Sequence, residues 1–173
     1  MRREKRRVIQ IVSILLILVL GSLHVSAAGP MDGQIIDGTL LTSESEATDE
    51  QPLVPENPFE EEEGISTYGT YLSSGTAHIS NQGNGTIYMM GETFCNKICD
   101  SVQVNIYLDK LENGNWWTIK TQHYTAYDDH YASNGLLVSV EKGYYYRVRG
   151  VHVAKKGSVT ESTSTCTSGI YIY

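Results

Sequence analysis

The stretch that most constrains this chain is Gly143-Tyr-Tyr-Tyr-Arg-Val-Arg-Gly-Val-His-Val-Ala-Lys-Lys-Gly157, followed by Ser158-Val-Thr-Glu-Ser-Thr-Ser-Thr165. From Tyr144 the residues alternate. Tyr144, Tyr146, Val148 and Gly150 fall on one face, and Tyr145, Arg147, Arg149 and Val151 on the other. A period of two is the signature of a half-buried strand. Lys155-Lys156-Gly157 supplies a turn, and the Ser/Thr/Val run beyond it has strand composition. The stretch therefore reads as a β-hairpin, and the rest of the chain must provide sheets for it to join.

The N-terminus reads as a leader. Arg2, Arg3, Lys5, Arg6 and Arg7 precede an apolar run from Val8 to Leu20, and Val25-Ser26-Ala27-Ala28 suits cleavage after Ala27 or Ala28. This is the layout of a secretory signal peptide. The run is short for a membrane span of about 20 residues, so cleavage is preferred over an uncleaved anchor. Residues 1–28 are assigned to the signal peptide, 29–66 to a disordered spacer and 67–173 to a folded domain. The spacer assignment rests on composition. Gly29 to Ile65 holds eleven acids, no base and all four prolines, too little apolar surface to offset chain entropy. After cleavage the chain would carry eight bases against nineteen acids, a net charge of −11. A basic nucleic-acid footprint and a polybasic membrane patch are both absent from it.

Within the folded domain no window shows helical periodicity. Thr76 to Ser80 is a short strand, and Asn81-Gln-Gly-Asn-Gly85 a turn. In Thr86 to Cys95, Tyr88, Met90 and Phe94 are placed outward. Val102, Val104, Ile106 and Leu108 share one face of a central strand. Asn113-Gly114 is a strong hairpin signal leading into Trp116 to Thr121, where one tryptophan must be core and the other exposed. Thr125 to Asn134 reads as a polar loop, Leu136 to Val140 as a strand, and Gly169 breaks the last strand before Ile170. The count is about seven strands with frequent turn signals, the cadence of an all-β, antiparallel seven-strand β-sandwich.

Gly143-x-x-Tyr146-x-Val148-x-Gly150 resembles the sixth strand of fibronectin type III domains, within the immunoglobulin-like class. The resemblance implies that the Tyr146 hydroxyl ties its strand to the preceding loop. Lys142 replaces the proline common before that glycine, and no early-strand tryptophan is evident. The region from about Ser73 to Tyr173 also resembles an uncharacterised family of small secreted Gram-positive bacterial proteins. The residues that carry this likeness are Cys95-x-x-x-Cys99-Asp100, the Val-Gln-Val strand, Asn113-Gly114-x-Trp116 and Glu-Lys-Gly-Tyr-Tyr-Tyr-Arg-Val-Arg. That family implies no known activity.

In a sandwich of this kind Cys95 and Cys99 share one loop, while Cys166 lies roughly 25 Å away down the last strand. A Cys95–Cys99 disulfide is therefore expected, with Cys166 a buried free thiol. No nucleophile motif, phosphate loop or paired zinc-ligand spacing is present, so no catalytic, metal or cofactor residue is assigned and the domain is read as non-enzymatic. The competing reading is a small secreted metal-binding protein or hydrolase using His123, Asp128, Asp129 and His130. Twelve tyrosines and two tryptophans are suggestive of binding, against the plainer reading that aromatics cover cross-strand neighbours in any β domain. Tyr107, Trp117, Tyr145, Arg147 and Arg149 are the candidate contacts for an extracellular protein or a cell-wall polysaccharide.

Overall fold

A computed structural model describes residues 41–52 and 69–173. The signal peptide and most of the acidic spacer lie outside the described residues. Seven strands run in the order β1 (Glu46–Pro52), β2 (Leu72–Gly83), β3 (Thr86–Glu112), β4 (Asn115–Ser139), β5 (Tyr144–Lys156), β6 (Val159–Cys166) and β7 (Ile170–Ile172). The fold is all-β. All named strand pairs are antiparallel, and one parallel bridge, Leu41 to Gly169, makes the sheet mixed.

The two longest strands organise the molecule. The first part of β3 pairs with β2, and Ser101–Lys110 pairs with β5, while β4 follows β3 along almost its whole length. One bent ribbon thus pairs with β2 at one end and with β5 at the other, and the single sheet is nearly closed into a barrel rather than parted into the two sheets of the expected sandwich. The bend sits where Phe94 pairs with Tyr131 but Cys99 with Asp129, which leaves extra residues on β3. A bulge of this kind kinks a strand and raises its local twist. Asp128, with φ 52°, takes up the turn on the facing strand. The segment Thr125–Asn134, read as a loop, is therefore strand, because pairing with β3 satisfies its backbone despite its polar side chains.

Across the remaining gap β6 is tied by carboxylates, Glu161 reaching the start of β2 and Asp49 of β1 reaching the end of β6. Glu161 accepts the backbone N–H groups of Thr70, Tyr71 and Leu72 at 2.9, 2.9 and 2.7 Å, and Asp49 accepts that of Cys166 at 2.8 Å. β1 itself corrects the spacer reading. Glu46–Pro52 pairs residue by residue with Ser80–Ser74, so backbone hydrogen bonding orders an acidic segment that has little apolar surface to bury.

The hairpin expectations hold. Asn84-Gly85 and Asn113-Gly114 both have positive φ at the two turn residues, the geometry that matches strand twist. Ile87, Met89, Val102, Val104, Ile106 and Leu108 face the core with Tyr146 and Val148, and Tyr88, Met90 and Phe94 face outward. The Tyr146 hydroxyl donates to the Glu141 carbonyl at 2.8 Å, tying β5 to the loop before it. β6 and β7 run along one edge of β5, interrupted around Gly169.

A polar bridge crosses the core. His152 on β5 is fully buried, with Nδ1 2.9 Å from Thr93 Oγ1 on β3 and Nε2 2.9 Å from Thr165 Oγ1 on β6. Thr93 donates its own proton to the Gln103 carbonyl, so Nδ1 carries the ring proton and Nε2 accepts from Thr165. Gly75 and Gly150 make the room, since a Cβ at either would overlap the imidazole. Burial pushes His152 down to about 4, against the opposing pull of the Glu92 carbonyl and the Asp49 charge.

Candidate interaction surface

Among the described residues β4 is an edge strand whose one partner is β3. Its side chains are unusually apolar for that position. Of the ten exposed large hydrophobic residues among those described, five lie on it: Trp117, Ile119, Tyr124, Tyr127 and Leu137. Trp117 is 43% exposed and Tyr127 74%, while Trp116 beside it is fully buried, so the tryptophans divide as expected. Phe94 of β3 packs tilted at 5.0 Å on Tyr131 of β4 beyond the bend. Aromatic side chains that remain exposed on a rigid sheet can stack on sugars or anchor a protein partner.

The other candidate contacts fall differently. Tyr107 and Tyr145 are half-buried. Tyr107 meets the His123 ring edge-on at 6.2 Å with the Arg149 guanidinium 5.1 Å above it, and Tyr145 packs on Tyr171 at 5.1 Å. Arg147 and Arg149 are not contacts at all, being 3% and 5% exposed. Both converge on Asp109, itself 1% exposed. Asp109 Oδ2 accepts Arg147 Nε at 3.1 Å and Arg149 Nε at 2.6 Å, while Oδ1 accepts Arg149 Nη2 at 3.1 Å and Thr118 Oγ1 at 2.8 Å. The Arg147 guanidinium lies 4.4 Å over the Trp116 ring. A register shift at Leu108/Asp109 brings Asp109 opposite Thr118 and so assembles the cluster. The arginines do lie on the outer face of β5, but that face is covered here. Trp116 and Leu41 both lie against Gly169, outside the main core.

The three cysteines are free thiols, so the expected Cys95–Cys99 disulfide is not formed. Both sit in a continuous strand rather than a loop, with exposed Asn96, Lys97 and Ile98 bulged out between them. Burial, reinforced by Cys99, pushes the Cys95 thiol up to about 12. Cys166 is half-buried, and desolvation raises it too. His123, Asp128, Asp129 and His130 are strung along β4. His123 bonds the Asn105 side chain and His130 pairs with Asp129, and no metal-holding group of three such residues forms among the described residues.

Tyr124, Tyr127, Ile119 and Leu137 were not among the sequence candidates. The signal was present in Thr121-Gln-His-Tyr-Thr-Ala-Tyr127, which is rich in strand formers, but Asp128, Asp129 and His130 after it suggested a loop.

Fold and surface together define an all-β domain with an aromatic edge. The chain belongs to the Family of unknown function (DUF6147), whose model matches residues 59–169. Among curated proteins none matches. The solution structure of R. palustris CsgH resembles the chain with 15% identity and a TM-score of 0.32, covering 51% of this chain and 86% of that one.

Proposed function

We propose that this chain is a secreted, non-catalytic binding module that holds an extracellular protein or a cell-wall polysaccharide through the exposed aromatic side chains of β4. One observation carries the reading: half of the large exposed hydrophobic side chains lie on a single strand. Secretion rests on the basic, apolar and small-residue succession of the first 28 residues. Trp117 and Tyr127 are the anchors. Their flat apolar faces lose little side-chain entropy on binding, and their polar tips tolerate a wet rim.

The test is a binding screen of the purified protein against peptidoglycan, soluble polysaccharides and secreted proteins, repeated with Trp117→Ala and Tyr127→Ala. A ligand should emerge whose affinity drops about tenfold or more on either substitution, the range of an interface anchor. A ligand indifferent to both changes would sink the proposal, and so would hydrolysis of a panel substrate without binding.

A further inference from the structure

The fold treats its sheet edges unequally. An exposed strand edge is a row of unpaired N–H and C=O groups, and proteins blunt such edges with charge, proline or cover. β1 carries Glu46, Asp49, Glu50 and Pro52, and β6 is fastened across the gap by Glu161 and the Asp49–Cys166 bond. β4 is less protected, its charges being confined to Lys120, Asp128 and Asp129. It runs for 25 residues without proline, its outer side has no strand partner among the described residues, and Lys120 is its one charged side chain between Asn115 and Tyr127.

From this we infer that β4 pairs antiparallel with β4 of a second copy, centred on Tyr124. The inference rests on the strand's backbone edge and does not depend on the aromatic contacts proposed above. Charge selects the occupant and the register. Lys120 and Asp128 bracket seven residues that carry no fixed charge, Thr121-Gln-His-Tyr-Thr-Ala-Tyr127. An antiparallel pairing with its two-fold axis at Tyr124 sets Lys120 opposite Asp128 of the second copy, and symmetry repeats the contact. Opposite charges facing each other across strands stabilise the pair, and like charges disfavour it. The same register places Thr121 opposite Tyr127, His123 opposite Thr125, and Tyr124 opposite its own copy. Tyr124 is 46% exposed and so has surface left to cover. Asp128, at φ 52°, ends the regular stretch. The Asn134 side-chain amide donates to the His123 carbonyl at 3.3 Å, and that carbonyl has a second lone pair for the partner's amide. Joined in this way, the β3–β4–β5 layers of two copies become one continuous sheet.

Sedimentation equilibrium of the purified protein tests the inference, with a charge swap as its specific arm. Wild type should be a concentration-dependent dimer. Lys120→Asp or Asp128→Lys alone should weaken it about tenfold, because two attractive pairs become repulsive, and the double exchange should restore it. Cross-linking gives a readout that does not require the charge variants to fold well. In a Cys166→Ser background, Tyr124→Cys should form an intermolecular disulfide on mild oxidation. Gln122→Cys should not, since it would lie about 13 Å from its own copy, four residues away at 3.3 Å each. A wild type that stays monomeric at every concentration overturns the inference, as does a dimer that cross-links through position 122 rather than 124. A wild type that stays monomeric yet binds a ligand through Trp117 and Tyr127 would refute this pairing alone. A dimer with no aromatic-dependent ligand would refute only the function proposed above.

Discussion

Acidification should destabilise the protein through one buried ring. His152 is held neutral to about pH 4, whereas an unfolded histidine takes up its proton near 6.5. Between those values the unfolded chain binds more protons than the native one, so stability rises with pH across the window. The contribution is complete above about pH 6.5 and is lost progressively as pH falls toward 4. The full difference corresponds to about 3 kcal/mol, of which about 2 kcal/mol falls between pH 7 and pH 5, above most carboxylate titration. That is a large part of the stability of a domain of this size. The assay is urea unfolding at half-unit pH steps from 7.5 to 5, for wild type and for His152→Gln. Wild type should lose about 2 kcal/mol over this range, and the variant, less stable at pH 7, should show a much flatter dependence. Should the variant fail to fold, an NMR titration of the histidine ring protons in wild type decides instead. Identical slopes in the two proteins, or a His152 resonance titrating near 6.5, would refute the reasoning.

Two further outcomes follow from buried groups. Asp109→Ala removes the carboxylate shared by Arg147, Arg149 and Thr118 and should cost about 3–5 kcal/mol in chemical denaturation, the usual loss when one partner of a buried ion pair is removed. A cost below about 1 kcal/mol would mean that the cluster is well hydrated. Cys95, with its thiol pushed up to about 12, should present on the order of 10⁻⁴ thiolate at pH 8 and alkylate about a thousandfold more slowly in the native protein than in urea, as mass mapping would read. Cys95 labelling at native rates comparable to those in urea would contradict its burial.

Much of the scaffold is visible in the chain itself. Alternation in Val102 to Leu108 and in Tyr144 to Gly150 identifies the core faces correctly, because successive side chains of a strand point to opposite faces of the sheet. Asn113-Gly114 sets the β3–β4 hairpin for an equally local reason, the positive φ that the turn demands. The aromatic strip was half legible. Trp117 stood out, but Tyr124 and Tyr127 were hidden by a polar segment whose strand conformation comes from its partner β3 and not from its own composition.

Arg147 and Arg149 mark the boundary between the two kinds of information. Period-two alternation correctly assigns both to the outer face of β5, and from there solvent exposure is the natural expectation. Their burial depends on a bulge at Leu108/Asp109, on Trp116 lying over Arg147, and on Leu41 meeting Gly169 from 128 positions away in the chain. The same holds for β1, an acidic segment ordered by the free edge of β2, and for His152, whose two hydroxyl partners come from β3 and β6. Local sequence determines which way a side chain points, through backbone geometry. What covers it is decided by distant parts of the chain, and only the tertiary structure brings those parts together.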